Sequence, residues 1–195
     1  NCANNLFVEL DVSGASTLRE LNTQGCHLEV LKVDSCENLE TLYCGYNKLA
    51  NINLWGTVSL KHLNLDNNEV HTLILSKQPS LVSLLCSDNN MVTLDVLNCE
   101  ALMDLVCSYN DLTTLNLSGT DNLYFVDCSY NDLTMLDLSN RTMLQRLLCD
   151  NNQLQTLDVS LCPNLVYINC RYNQITDLRT MGDNNLRMIA CQWNY

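Results

Sequence analysis

Leucine returns every 21 residues along this chain without a slip, and this period limits what the chain can fold into. The nine leucines that mark it are Leu18, Leu39, Leu60, Leu81, Leu102, Leu123, Leu144, Leu165 and Leu186. When each is counted as position 0, apolar residues recur at positions 3, 5, 10, 13 and 15, and asparagine recurs at position 8. Such a period is typical of arrays in which each repeat stacks on the next. The sequence therefore predicts a solenoid of equivalent turns, called coils below and named by their leading leucine.

The first half of each coil alternates inward and outward residues with the period of a strand. We expect positions 2 to 6 to be extended, with positions 3 and 5 facing inward and positions 2, 4 and 6 facing outward. In coil 81 this places Leu84 and Cys86 inside and Ser83, Leu85 and Ser87 outside. Stacked in register, these segments would build a parallel sheet along one side of the array.

The second half of each coil repeats the spacing of the first. Positions 10, 13 and 15 copy positions 0, 3 and 5, as in Leu154, Leu157 and Val159, and the usual sequence there is T-x-L-D-L-S. Alternation with Thr, Val and Ile predicts a second extended segment. Only about five residues then remain before the next coil, fewer than an ordinary helix needs. The predicted fold is a β-rich solenoid with a parallel sheet on one side, an extended or β segment on the other, and little or no helix.

The unbroken period predicts one array over residues 1–195. A partial coil covers 1–17, complete coils start at 18, 39, 60, 81, 102, 123, 144 and 165, and a partial coil covers 186–195. A single coil buries too little apolar surface to offset the entropy of ordering its backbone, so its stability depends on its neighbours. Since both ends fall inside a repeat, we expect a fragment of a longer protein or end-to-end self-association.

Asparagine occupies position 8 in nine coils, from Asn5 to Asn194, and Cys26 replaces it in coil 18. An inward asparagine can satisfy backbone groups that are released where a strand ends, because its amide both donates and accepts hydrogen bonds. We therefore expect a ladder of stacked asparagines along the interior of the array.

Eight of the twelve cysteines share position 5, where Leu65 and Thr23 occupy the two remaining coils. The other four each lack a cysteine at the same position of the neighbouring coil: Cys26, Cys36, Cys99 and Cys162. Buried cysteine behaves as a small hydrophobe, and in-register side chains have poor disulfide geometry, so we expect free, buried thiols. Zinc needs about four converging ligands, whereas the chain has no C-x-x-C and its histidines, His27, His62 and His71, occupy unrelated positions.

Acidic residues outnumber basic ones by 22 to 10, which gives a net charge of −12. Such a surface repels phosphates, so we expect no nucleic-acid partner and no binding to anionic membranes. No apolar stretch reaches the length of a membrane span, so membrane insertion is not expected either. The sequence has no nucleophile–base motif, glycine-rich phosphate loop or histidine cluster, and we expect neither enzymatic activity nor a cofactor.

The consensus L-x-x-L-x-C-x-x-N-x-L-x-x-L-D-L-S-x-x-x-x resembles the bacterial 21-residue leucine-rich repeat class called IRREKO, over essentially the whole chain. Coils 102, 123 and 144 match best, whereas Thr23 and Cys26 make coil 18 looser. The resemblance implies a leucine-rich repeat solenoid that is exported or displayed on a bacterial cell surface and binds protein or glycan. It offers no catalytic residue to transfer, and the L-P-x-L-P-E repeats of secreted ubiquitin ligases are absent.

Outward positions of the C-terminal half carry the candidate binding surface. Positions 2 and 4 place apolar, aromatic and charged side chains together, the composition of a binding hot spot: Val106, Phe125, Asp127, Arg146, Leu148 and Tyr167. Tyr109 and Tyr130 at position 7 extend this set, with packing over the strand ends as the alternative interpretation. The alternative function is a structural spacer without a specific ligand.

Position 14 carries a second candidate, a column of carboxylates. Asp95, Asp137 and Asp158 recur there, with Asn116 after the first. Stacked carboxylates repel unless they are bridged or hydrogen-bonded, and calcium would need six to eight oxygen ligands. The alternative is that each carboxylate accepts a hydrogen bond from local backbone at a bend.

Overall fold

The computed structural model describes residues 1–76, 78–180 and 185–195, so residues 181–184 of coil 165 lie outside the description. Within these ranges fifteen three-residue strands, β1 to β15 in chain order, form two sides of a stack of coils. Nine of them pair in parallel as one sheet, called the front sheet: β2 (Glu20–Asn22), β4 (Thr41–Tyr43), β5 (His62–Asn64), β7 (Ser83–Leu85), β9 (Asp104–Val106), β10 (Phe125–Asp127), β11 (Arg146–Leu148), β13 (Tyr167–Asn169) and β15 (Met188–Ala190).

The opposite side, called the back, is extended but less continuous. Its strands form three two-stranded parallel sheets: β1 (Glu9–Asp11) with β3 (Val30–Lys32), β6 (Thr72–Ile74) with β8 (Thr93–Asp95), and β12 (Thr156–Asp158) with β14 (Asp177–Arg179). Isolated parallel bridges add Asn53 beside Lys32 and Asn116 beside Asp95. The described residues contain no helix, and hence none suited to crossing a membrane. The predicted β-rich leucine-rich repeat solenoid is confirmed.

Front strands are shorter than the sequence predicted, at positions 2 to 4 rather than 2 to 6. The next position faces inward as expected, because Cys86 is fully buried. Position 6 was predicted to face outward, and this is wrong for Ser87 and Ser108, which are buried with their hydroxyls 2.9 Å apart. Arg171 at the same position is exposed, as predicted. The physical reason is that the backbone leaves the strand direction before position 6, which turns these hydroxyls towards each other.

Both corners of a coil are made by residues in the left-handed region. At position 7 these residues are Asn4, Gly25, Tyr46, Asn67, Asp88, Tyr109, Tyr130, Asn151, Tyr172 and Trp193, with φ between 51° and 65°. At position 17 they are Gly14, Ser35, Gly56, Asn98, Gly119 and Asn140. Positions 7 and 17 are ten residues apart, the same separation as between the two half-repeats. Most half-repeats therefore end in the same kind of turn, at a cost of about 1–2 kcal/mol for a non-glycine residue. Leu161, at position 17 of coil 144, is not in the left-handed region.

The core is one continuous column of leucine, valine and cysteine. In coil 144 the six inward residues are all 0–1% exposed: Leu144, Leu147, Cys149, Leu154, Leu157 and Val159. Ten of the twelve cysteines are buried and all twelve are free, so the predicted interior thiols are confirmed for those ten. Cys2 is half-buried and Cys191 is exposed.

Asparagines at position 8 join neighbouring coils. The Asn110 Nδ2 donates to the carbonyl oxygens of Cys107 (3.1 Å) and Ser108 (3.2 Å) in its own coil and of Cys86 (3.0 Å) in the preceding one. Its Oδ1 accepts from the backbone N–H of Met91, also in the preceding coil, at 3.0 Å. The ladder predicted from the sequence is present, and one side chain serves two coils.

A second ladder lies ten residues later, at position 18, and sequence reasoning missed it. Here the donor is a thiol, a hydroxyl or an amide: Cys99 Sγ lies 3.2 Å from the Leu75 carbonyl oxygen, and Thr120 Oγ1 lies 2.6 Å from that of Leu117. Cys36 and Cys162 occupy the same column, so the three cysteines that the sequence places at position 18 share one structural role. The signal was the half-repeat spacing, which places position 18 ten residues after the asparagine.

We predict that Asn110→Ala lowers the free energy of unfolding by about 1–3 kcal/mol, because it leaves buried carbonyl and N–H groups without partners. Urea unfolding followed by circular dichroism measures the change. The control is Asn122→Ala, which removes an exposed asparagine with a hydrogen bond to the Glu100 carbonyl oxygen (2.8 Å) and should cost under about 0.5 kcal/mol. Equal losses for the two variants would contradict the role of the ladder.

Thiol reactivity gives a second prediction. Burial raises the pKa of the Cys99 and Cys170 thiols to about 11 and that of Cys107 further, so these groups remain protonated and unreactive at neutral pH. We expect native protein to react rapidly only at Cys2 and Cys191, and denatured protein to titrate all twelve thiols. Rapid labelling of Cys107 in the native state, located by mass spectrometry, would show that the interior is open.

Candidate functional site

Three side chains at position 2 form the centre of the candidate surface. Strands β10, β11 and β13 pair so that Phe125 lies opposite Arg146 and Arg146 opposite Tyr167. The Arg146 Cζ lies 5.2 Å from the centroid of the Phe125 ring and 5.9 Å from that of Tyr167. The guanidinium is therefore held between two aromatic rings by cation–π attraction, while Arg146 itself remains exposed.

Position 4 supplies the neighbouring column, which contains Val106, Asp127 and Leu148 on β9, β10 and β11. The Asp127 Oδ1 accepts from the Ser129 N–H at 3.0 Å and from the Ser129 hydroxyl at 2.6 Å, which fixes the carboxylate in place. These side chains are half-buried rather than fully exposed, as are both rings at position 2, because the coil on each side covers them. The six predicted residues of the sheet thus form one surface, more tightly packed than the sequence suggested.

A shallow depression of about 500 Å³ lies at the C-terminal end of this surface. Its walls include the predicted Arg146, Leu148 and Tyr167. Gln145, Val166 and Asn169 also line it, and sequence reasoning missed all three. Gln145 and Val166 stand at position 1, just before the strand, where the alternation of the strand gave no reason to place an outward side chain.

Tyrosines at position 7 form an exposed row, called the aromatic row, along the end of the front strands. The Tyr109 and Tyr130 rings are stacked, with centroids 4.2 Å apart and planes 10° from parallel. Tyr172 and Trp193 form a second pair, at 5.2 Å and 51°. Asn151 lies between the two pairs and has no ring. Tyr109 and Tyr130 are 49% and 42% exposed, so their rings contact each other and solvent rather than fill the core.

The N-terminal half of the front side has a different character at positions 1 and 2. Glu40 lies between Arg19 (2.6 Å) and Lys61 (2.7 Å) in a row of ion pairs that runs across three coils. Hydrogen bonds from Lys61 and Arg19 lower the pKa of the Glu40 carboxyl, which keeps it ionised. These exposed charges form ion pairs with one another. The C-terminal half of the front side instead carries aromatic and apolar side chains, which form no ion pairs.

Carboxylates at position 14 hold the backbone of their own coil. Oδ1 of Asp95, Asp137 and Asp158 accepts the N–H two residues later at 2.9 Å in each case. Asn116 makes the same bond to the Ser118 N–H at 3.0 Å, although it carries no charge. Across the described ranges, no three His, Cys, Asp or Glu side chains converge as a metal would require. The geometry matches the alternative interpretation of a bend.

We therefore expect calcium to leave the stability unchanged. Since the Oδ1 of each position 14 carboxylate already serves a turn and the carboxylates do not converge, excess calcium and excess chelator should give the same melting temperature. Differential scanning calorimetry makes the comparison directly. A rise of several degrees with calcium, lost in Asp137→Asn, would instead establish a bound ion in this column.

Comparisons with known proteins agree with this architecture. No family model matches the chain, and no curated protein matches it. Among solved structures, the functional domain of InlJ from Listeria monocytogenes superposes with a TM-score of 0.84 at 29% identity, over 96% of this chain and 44% of that one. YopM from Yersinia pestis, a leucine-rich effector protein, gives 0.81 and 27%, over 93% and 51%. Internalin C2 from Listeria monocytogenes gives 0.74 and 20%, over 92% and 84%.

These similarities define the class of structure. The chain has the fold of the bacterial leucine-rich repeat proteins, as its sequence pattern implied. The InlJ domain is described as containing a cysteine ladder, and this chain has a row of cysteines at position 5, most of them buried. The chain spans about half the length of the InlJ and YopM chains it matches.

Proposed function

We propose that this chain is a non-enzymatic binding module that holds a partner protein on the C-terminal half of its front sheet. The observation that carries the proposal is the Arg146 guanidinium held between Phe125 and Tyr167 beside a depression of about 500 Å³. Tyrosine and arginine are the residue types that dominate interface energetics, and here they form one contiguous surface.

Rigidity of the site supports tight binding. Phe125, Arg146 and Tyr167 project from paired strands whose central residues are fully buried, so little backbone entropy is lost when a partner docks. The rings also restrict Arg146 before any partner arrives. A guanidinium with its edge free offers bidentate hydrogen bonds to a carboxylate or a carbonyl of the partner.

Charge indicates the complementary chemistry. Asp104 and Asp127 lie on the strands that carry the surface, and the chain as a whole has a net charge of −12. A partner with basic side chains around an apolar centre would associate faster and be selected over acidic proteins. The expectation that nucleic acids and anionic membranes are not partners rests on the same charge and remains a prediction.

Glycan is a second candidate ligand, and the aromatic row favours it. Exposed rings such as those of Tyr109 and Tyr130 offer flat apolar faces together with hydroxyl groups. The spacer alternative would need no such concentration of aromatic side chains on one part of the surface. We propose the same setting as the resemblance implies: a module of an exported or cell-surface bacterial protein.

A double substitution, Phe125→Ala with Tyr167→Ala, tests the protein-binding proposal. Both rings are outside the core, so we expect an unchanged circular dichroism spectrum and a melting temperature within a few degrees of wild type. A partner identified by affinity capture should bind the variant at least about 30-fold more weakly, equivalent to about 2 kcal/mol. Biolayer interferometry with purified partner measures the affinity.

Met135→Ala provides the matched control, because Met135 is an exposed apolar side chain on the back of the same half. This variant should bind the partner with wild-type affinity. If the double variant also retains wild-type affinity, the partner uses another surface and the proposed site is wrong.

A further inference from the structure

A groove lies on the back of the array. Its residues come earlier in the sequence than those of the candidate front surface, and its side chains are of different types. It has a volume of about 310 Å³ and opens between coils 39 and 60, one of the places where the back strands separate. Asn53 pairs with Lys32 on one side, and Thr72–Ile74 pairs with Thr93–Asp95 on the other. In the described part of the chain no β-pairing joins Asn53 to Ile74, and the groove occupies this gap.

Three departures from the repeat meet in this groove. Trp55 stands at position 16, where serine occurs in coils such as those of Ser118 and Ser139. Ile74 stands at position 14, where other coils carry charged or amide side chains, and Gln78 stands at position 18 in the column of cysteine and threonine donors. All three line the groove. Stacking of the coils does not require these three residues. Their presence together in one groove therefore suggests a role specific to that groove.

Gln78 carries an unused hydrogen-bond acceptor. The residue is 5% exposed, and its Nε2 donates to the Leu54 carbonyl oxygen (3.1 Å) and to Thr57 Oγ1 (3.2 Å). Its Oε1 is the one buried side-chain oxygen or nitrogen without a hydrogen-bond partner that is found in residues 1–76, 78–180 and 185–195. Buried polar groups are nearly always paired in native proteins. This oxygen is closed to solvent, so a donor from a ligand would pair with it after the Gln78 side chain shifts towards the groove.

Walls of the groove combine a flat apolar surface with neutral polar groups. The Trp55 indole is 67% exposed and Ile74 is 63% exposed, so both offer apolar surface to a ligand. Asn53, Thr72 and Ser76 contribute amide and hydroxyl groups. None of the described lining residues is ionisable, and the volume lies at the lower end of the range for small-ligand sites.

We propose that this groove binds a neutral saccharide, one or two pyranose rings in length. The apolar face of a pyranose would stack on Trp55, and a ring hydroxyl or an acetamido N–H would donate to Gln78 Oε1 once a shift of the Gln78 side chain brings that oxygen to the groove. Asn53, Thr72 and Ser76 match the remaining hydroxyl groups, which both donate and accept. Anionic sugars are disfavoured, because the groove offers no cation among its described residues and the chain carries a net charge of −12.

Fluorescence of Trp55 provides the test. The chain has two tryptophans, so Trp193→Phe leaves Trp55 as the sole reporter and preserves a ring beside Tyr172. The probes are cellobiose, maltose, lactose and N,N′-diacetylchitobiose, added to the intact chain. We expect at least one of them to shift Trp55 emission in a saturable manner, with a Kd below about 10 mM, and calorimetry on the wild-type chain to give the same Kd.

Two substitutions taken from the repeat itself separate binding from folding. Gln78→Thr keeps a donor of the kind that Thr57 and Thr120 supply at this position but removes the amide oxygen Oε1. It should not lower the melting temperature, and it should weaken saccharide binding at least about tenfold. Trp55→Ser installs the residue most common at position 16 and should abolish binding measured by calorimetry.

Controls distinguish this groove from other surfaces. Leu161→Ser alters a second groove at a back-side break, lined by Asp137, Ser139 and Asp158, and should leave saccharide binding unchanged. The Phe125→Ala, Tyr167→Ala pair should also leave it unchanged, so the two proposals fail independently. The saccharide site is wrong if no probe perturbs Trp55, or if Gln78→Thr and Trp55→Ser bind as wild type does.

Discussion

The hydrogen bonds of one side chain, the asparagine at position 8, hold this structure together. The Asn110 amide, for example, donates to carbonyl groups of its own coil and of the preceding coil, and its oxygen accepts an N–H from the preceding coil. The strand, the turn that ends it and the stacking of neighbouring coils are therefore fixed by the same group. Since one coil cannot bury enough surface to stand alone, everything displayed on the front sheet depends on this linkage.

The two sides of the solenoid differ because their ladders differ. Asparagine on the front makes up to five hydrogen bonds, as Asn47 does, whereas Cys99 or Thr120 on the back donates only one. Both corners use a left-handed residue in most coils, but only the front corner is joined to the preceding coil by several hydrogen bonds of one side chain. This difference is consistent with nine continuous strands on the front and three separate pairs on the back.

Candidate sites occur where side chains depart from the repeat. Inward positions vary little, because every coil must fit the same column of leucine and cysteine. Outward positions are free of that constraint, and there the chain places Phe125, Arg146 and Tyr167 together on the front. On the back, where fewer hydrogen bonds join neighbouring coils, a groove opens that Trp55 and Gln78 line. In both proposed sites, a regularly packed core supports outward side chains that differ from the repeat.

Sequence alone determined the solenoid, the parallel front sheet, the inward cysteines and the asparagine ladder, because each follows from a 21-residue period and a strand alternation. The same period also placed Phe125, Arg146 and Tyr167 in one column. Only the tertiary structure decided that the two rings contact the Arg146 guanidinium and that Ser87 is buried. It also decided that Gln145 and Val166 line the front depression and that the Gln78 side-chain oxygen has no hydrogen-bond partner. These features depend on turn geometry and on contacts across coils, where a shift of an ångström decides whether a hydrogen bond forms, and a repeating pattern of residue types carries no such distances.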